Sequence, residues 1–70
     1  MKLHYYPETD SLYIALSDRP SVDAVEVANG LVADLDSEGT VVGLDIDRAS
    51  TQLDLSSIET IDLPQVPRTA

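Results

Sequence analysis

The chain has 70 residues, which is enough for one domain with a small hydrophobic core. Its formal charge is −9, from 13 acidic and 4 basic residues, so it lacks the clustered cations that bind nucleic acids or anionic membranes. Cys is absent, which excludes disulfides and cysteine-ligated metal sites, and no apolar signal region opens the chain, so we expect a cytoplasmic location.

Stretches rich in Pro, Gly, Asp and Ser divide the chain up to residue 47 into short apolar segments. The turn-forming stretches are Pro7–Asp10, Ser17–Ser21, Ala28–Gly30 and Ser37–Gly39. The segments between them are 2–6, 11–16, 22–27, 31–36 and 40–47. No connection is long enough for a crossover helix. The pattern therefore predicts a mainly-β (β-rich α+β) fold, with a five-stranded antiparallel meander, or curled sheet, and a short C-terminal helix.

In the first segment, His4 is expected to face away from Leu3 and Tyr5, as an exposed strand residue. It is the one histidine of the chain. A single histidine without cysteine argues against a transition-metal site or a nucleophile–histidine pair.

The first turn and its flanking strands carry three tyrosines and two carboxylates, namely Tyr5, Tyr6, Glu8, Asp10 and Tyr13. Carboxylates beside phenols could hold a cation or perform acid–base chemistry. The alternative is a hairpin turn closed by Asp10, with tyrosine rings packed across two strands. We favour the second interpretation.

The third turn admits two registers. A three-residue loop over Ala28–Gly30 pairs Val27 with Leu31 and Val25 with Ala33, whereas a two-residue turn pairs Val25 with Asp34. Since apolar residues should face each other, we expect the three-residue loop.

The fourth turn also admits two registers. A two-residue turn at Glu38–Gly39 pairs Leu35 with Val42 and Leu31 with Ile46, and a three-residue loop would set Leu31 opposite Asp45. We expect the first, with a bulge at Gly43 as a way to reconcile both.

In this register four carboxylates share one face of a two-stranded ribbon, namely Asp34, Asp36, Asp45 and Asp47. The simplest interpretation is a solvated face that also deters pairing between molecules. A basic protein partner would relieve the repulsion between the carboxylates. The third possibility is a Ca²⁺ or Mg²⁺ site, although the spacing is not that of an EF-hand.

Beyond the strands, Ser56 and Glu59 have the spacing of a capping box and predict a short helix near 56–61. We expect a single domain over 1–63 and an extended or frayed tail over 64–70.

The predicted core contains the inward-facing apolar residues of the five segments and one residue of the predicted helix. It consists of Leu3, Tyr5, Leu12, Ile14, Leu16, Val25, Val27, Leu31, Ala33, Leu35, Val42, Leu44, Ile46 and Ile58. A core this small, without a disulfide, favours a homodimer.

Three stretches resemble a small prokaryotic family known as domain of unknown function 2283. They are Tyr6–Ile14 (YPETDSLYI), Gly30–Asp36 (GLVADLD) and Glu38–Ile46 (EGTVVGLDI), and the resemblance covers residues 4–50. The family usually has Ile or Glu around positions 45 to 47, where this chain is more acidic. The resemblance implies a small β-rich domain without an established activity. Members occur beside small toxin-like genes, which would suit an acidic antitoxin.

Our leading hypothesis is a non-catalytic protein-interaction module without a cofactor, which binds a basic protein partner. The candidate interaction residues are Tyr6, Glu8, Asp10, Tyr13, Asp34, Asp36, Asp45 and Asp47. The alternative is a divalent-cation-binding domain that uses the four aspartates of the ribbon. An enzyme with a tyrosine/carboxylate centre has the least support, and we expect no nucleic-acid or membrane partner.

Overall fold

A computed structural model describes residues 1–64, which form one open antiparallel sheet and a short helix. The strands are β1 (Lys2–Tyr6), β2 (Ser11–Ala15), β3 (Asp23–Ala28), β4 (Leu31–Leu35) and β5 (Val41–Ile46), and the helix is α1 (Ala49–Gln52). The mainly-β class is confirmed, and each strand begins and ends within one residue of its predicted bounds. Of the predicted tail, residues 65–70 lie outside the described part of the chain.

The order of the strands in the sheet is β1-β2-β5-β4-β3. The predicted sequential meander is therefore wrong in one respect, because β2 pairs with β5 rather than with β3. Residues 16–22 carry the chain from β2, next to one edge of the sheet, to β3 at the opposite edge. Apolar pairs hold the central strands together, with Leu12 opposite Ile46 and Ile14 opposite Leu44.

The β3–β4 hairpin pairs Val25 with Ala33, as predicted, but the predicted three-residue loop is wrong. Ala28 pairs with Leu31, so Asn29 and Gly30 alone form the turn, with φ +80° at the glycine. The extra residue lies in the strand instead, as a bulge at Val27. Because of this bulge Val25 still pairs with Ala33, whereas a two-residue turn without a bulge would pair Val25 with Asp34.

The β4–β5 hairpin pairs Leu31 with Ile46, which confirms the register predicted for residues 31–34, but the predicted two-residue turn and its Leu35–Val42 pair are wrong. The N–H of Asp36 donates to the carbonyl of Thr40, so residues 37–39 form a three-residue loop. The register then shifts by one residue, because Asp34 lies opposite Gly43 while Leu35 lies opposite Val41. The bulge is therefore at Val42 and not at Gly43. It leaves the glycine inside the regular ladder.

The two faces of the sheet differ in chemistry. One side, which we call the apolar face, carries the strand residues Leu3, Tyr5, Leu12, Ile14, Val25, Leu31, Ala33, Leu44 and Ile46. The other side, which we call the polar face, carries His4, Tyr6, Tyr13, Glu26, Val32, Asp34, Gly43 and Asp45. His4 is exposed and lies opposite to Leu3 and Tyr5 in direction, as predicted.

The core lies on the apolar face, where α1 and Leu55 cover the middle of the sheet. Leu12, Ile46 and Ala49 form the buried cluster, and Ala49 is completely buried. Five predicted core residues are instead exposed, namely Leu3, Tyr5, Val25, Val27 and Ile58. Val27 is exposed in the bulge, Ile58 lies outside any helix, and the other three belong to the uncovered part of the apolar face.

The helix predicted near 56–61 is wrong, since α1 comes earlier and these residues have no helical structure. The hydroxyl and the backbone N–H of Ser56 both donate to the Asp54 carboxylate. The two groups of Ser56 that a capping box would use are therefore engaged in a local turn with Asp54. In residues 1–64 no helix is long and apolar enough to cross a membrane.

Candidate functional site

Asp10, in the turn between β1 and β2, holds α1 against the sheet. Its backbone has φ 54°, and its carbonyl oxygen accepts the N–H of Ala49 at 2.8 Å. Its carboxylate accepts the N–H of Ser50 at 3.1 Å and the Ser50 hydroxyl at 2.6 Å. Asp10 thus satisfies the free N–H groups at the start of the helix, although 40 residues of sequence separate it from Ser50.

The Asp10 carboxylate also accepts the hydroxyl of Tyr5 at 2.7 Å. The hydrogen bonds from Ser50, and then that from Tyr5, stabilise the charged form and lower the pKa of Asp10. The same bond raises the pKa of Tyr5. Asp10, a candidate interaction residue, therefore has a structural role that the sequence pattern does not indicate, because its partners come from distant parts of the chain.

Asp36 organises the turn between β4 and β5. One carboxylate oxygen accepts the N–H groups of Glu38 and Thr40, each at 2.9 Å. The other lies 3.2 Å from Nε of Arg19, which comes from the β2–β3 connection. The pKa of Asp36 is lowered, first by the N–H of Thr40. Its carboxylate is thus engaged with the turn rather than with the other three aspartates.

Tyr13 lies across the polar face and spans three strands. Its hydroxyl donates to Oδ2 of Asp34 at 2.7 Å, over the backbone of Gly43. A Cβ on Gly43 would overlap the Tyr13 hydroxyl and lie 2.7 Å from Cζ, so only glycine admits the ring in this place. The hydrogen bond to Asp34 raises the pKa of Tyr13.

Asp45 lies on the polar face directly opposite Tyr13 and Val32 in the neighbouring strands. Its pKa is raised, first by partial burial and then by the charges of Asp47 and Asp34. The three carboxylates therefore repel one another, and no basic side chain neutralises them among the ion pairs of residues 1–64.

At the β1 edge of the polar face, the rings of His4 and Tyr6 are stacked, with centroids 4.2 Å apart and planes 6° apart. Together with Tyr13 they form an aromatic strip beside the carboxylates. Of the candidate residues, Tyr6, Tyr13, Asp34 and Asp45 share the polar face. Glu8 is exposed in the first turn, and Asp47 is exposed directly after β5.

The prediction that four aspartates project from one face is wrong for Asp36, because its carboxylate is turned into the β4–β5 turn. Within residues 1–64, no group of three or more His, Cys, Asp or Glu side chains is placed so that it could hold a metal ion. Among the described residues, the fold thus brings no set of carboxylates together as the cation-binding hypothesis would require.

The substitution Gly43→Ala is expected to displace the Tyr13 ring and break its hydrogen bond to Asp34. Because that bond stabilises the protonated phenol, its loss should lower the pKa of Tyr13 toward the ordinary tyrosine value. The measurement is a pH titration of the assigned Tyr13 ring resonances by NMR.

Two controls accompany this titration. Tyr5, whose hydroxyl bonds Asp10 at the first turn, should titrate as in the parent protein. Asp34→Asn should lower the Tyr13 pKa without displacing the ring. An unchanged Tyr13 titration in Gly43→Ala would contradict the described contact.

Residues 2–50 match the family described as "Protein of unknown function (DUF2283)", so the chain belongs to this family. The match confirms the resemblance found in the sequence, and it covers all five strands and the start of α1. No curated protein and no solved structure matches the chain at a significant level.

Proposed function

We propose that this protein is a non-catalytic protein-interaction module whose polar face binds a basic segment of another protein. The observation that carries the proposal is the group of Asp34, Asp45 and Asp47, whose carboxylates repel one another and form no ion pair within residues 1–64. Lys or Arg side chains of a partner would remove this repulsion on binding.

The aromatic strip supports the same chemistry. Tyr13 is held in place by Gly43 and Asp34, and Tyr6 is stacked on His4, so both rings are ordered before a partner arrives. Tyrosine rings give a large contact area at a small entropy cost. Their faces also attract the guanidinium of arginine, which can form paired hydrogen bonds to a neighbouring carboxylate.

The negative net charge of the chain favours a partner with a positive net charge. A net charge of −9 attracts a basic protein over a distance and accelerates its association, most strongly at low salt. A small basic toxin is a partner of this chemistry, which would make the protein an antitoxin. In this proposal Asp10 and Asp36 support the fold rather than touch the partner.

The test uses an arginine-rich peptide with a fluorescent label, titrated with the full chain at low and at high salt. The variant Asp34→Asn/Asp45→Asn removes two charges from the polar face. The control Asp18→Asn/Glu59→Gln removes two charges from exposed positions outside the strands.

We expect the polar-face variant to bind the peptide about tenfold more weakly, and the control to bind almost as the parent protein does. The salt dependence should decrease with the loss of the face charges. Equal weakening in both variants would show that only the net charge matters, and it would contradict a defined binding face.

A further inference from the structure

The apolar face is only partly covered by the chain itself. Leu3 is 47% exposed, Tyr5 41% and Val25 43%, although all three lie on the side of the sheet that carries the core. No large side chain of residues 1–64 is fully buried. A sheet with one open apolar side is not a complete two-layer domain.

The C-terminal segment leaves a groove beside the region that it covers. Its volume is about 560 Å³, and it is lined by Leu3, Tyr5, Leu12, Leu55, Ser56 and Ile58. Ile58 is itself 69% exposed. The groove is thus an apolar depression on an apolar surface, which is suited to side chains of another polypeptide.

The strand residues of the apolar face carry little charge, and carboxylates lie at its margin, where Asp10 accepts the hydroxyl of Tyr5 and Asp54 accepts that of Ser56. The apolar-face residues of β1, β2, β4 and β5 are uncharged, and among the described strands Asp23 alone places a charge there, at the outer edge in β3. Asp34 and Asp45 point to the polar face. Two copies of a chain with charge −9 repel each other, and the strands contribute one carboxylate to this side, against Glu26, Asp34 and Asp45 on the polar face.

We infer that two copies pack through the parts of their apolar faces that α1 and Leu55 leave uncovered, with the polar faces outside. A typical stable interface buries roughly 800 Å² per partner, and the broad side of the described chain extends 36 × 33 Å. At that contact each copy would cover the exposed side chains of Leu3 and Tyr5, and the groove beside them, on the other copy. The contact is isologous, so the same residues of both copies meet.

A second copy fits this surface better than a different protein for a physical reason. The apolar face has to be covered whenever the chain is folded, since the core within one copy is small. A second copy of the chain is available as a partner in any solution of the protein. This inference concerns the face opposite to the proposed partner site, so either can fail without the other.

The test combines the mass of the full chain in solution with the accessibility of the apolar face. Light scattering after size-exclusion chromatography should give twice the 7.6 kDa of the chain. The Tm of the unmodified protein should rise with its concentration, because dissociation accompanies unfolding.

Because the chain has no cysteine, single cysteines report on single positions. Leu3→Cys and His4→Cys place a thiol at adjacent positions of β1, on opposite faces of the sheet and both exposed within one copy. We expect N-ethylmaleimide to modify Leu3→Cys about tenfold more slowly than His4→Cys, because only the first thiol is covered.

A monomer mass with a Tm that is independent of concentration would overturn the inference and leave the apolar face to a different protein. A dimer in which both thiols react equally would overturn it as well, because the copies would then meet through sheet edges. Neither outcome depends on binding of the arginine-rich peptide.

Discussion

Leu12→Ala is expected to cost about 3 kcal/mol of unfolding free energy, within the range of about 2–5 kcal/mol for buried leucines. Leu12 is 6% exposed and packs between Tyr5 of β1 and Ile46 of β5, under Ala49 and Leu55. A domain of this size has a total stability of about 3 to 10 kcal/mol. The single substitution should therefore remove between about a third and all of the stability of the domain.

Urea denaturation followed by circular dichroism measures this loss, with all samples at one protein concentration because association would contribute to stability. Ile61→Ala is the matched control, since Ile61 is 78% exposed and should lose less than about 0.5 kcal/mol. Equal losses at the two positions would contradict the described core.

The second prediction compares two glycines that have the same backbone conformation. Gly30 and Gly39 both have φ +80°, so alanine is strained by about 1–2 kcal/mol at either position. At Gly30 a Cβ would also lie 2.8 Å from Nη2 of Arg48 and 3.0 Å from Nε2 of Gln52, whereas at Gly39 no atom lies within 4 Å. We expect Gly30→Ala to be the more destabilising by about 1 kcal/mol.

The added cost at Gly30 comes from a specific contact. The Gln52 side chain donates to the carbonyl of Asp47. A methyl group on Gly30 would crowd the Gln52 amide nitrogen and weaken this hydrogen bond. Thermal unfolding of both variants and of the double variant measures the two costs and their independence. A larger loss at Gly39 would mean that backbone strain differs between the turns and that the Gln52 contact contributes nothing.

The strands could be predicted because their bounds depend on local chemistry. Residues such as Pro7, Gly30 and Gly39 specify turns within a few positions of themselves, and alternation specifies the faces between them. The neighbour of β2 could not be predicted in the same way. Its pairing with β5 depends on apolar matches between distant segments, to which turn spacing is insensitive.

Half of the candidate interaction residues, Tyr6, Tyr13, Asp34 and Asp45, share the polar face, and strand alternation alone predicted the common face of Asp34 and Asp45. Asp10 and Asp36 have structural partners that no local pattern shows, one in α1 and the other in the β2–β3 connection. The position of the Tyr13 ring could have been inferred from Gly43, since a glycine inside a strand indicates that another group approaches the backbone closely.

The strand order also determines how the protein folds. The β1–β2 hairpin and the three strands β3, β4 and β5 can each form from neighbouring segments, within microseconds for a hairpin. The pairing of β2 with β5 joins these two units across most of the domain, so its loop-closure entropy should make it the slow step. Until it forms, both strands have unpaired edges that could add strands from other chains, and the excess negative charge of every chain then opposes aggregation.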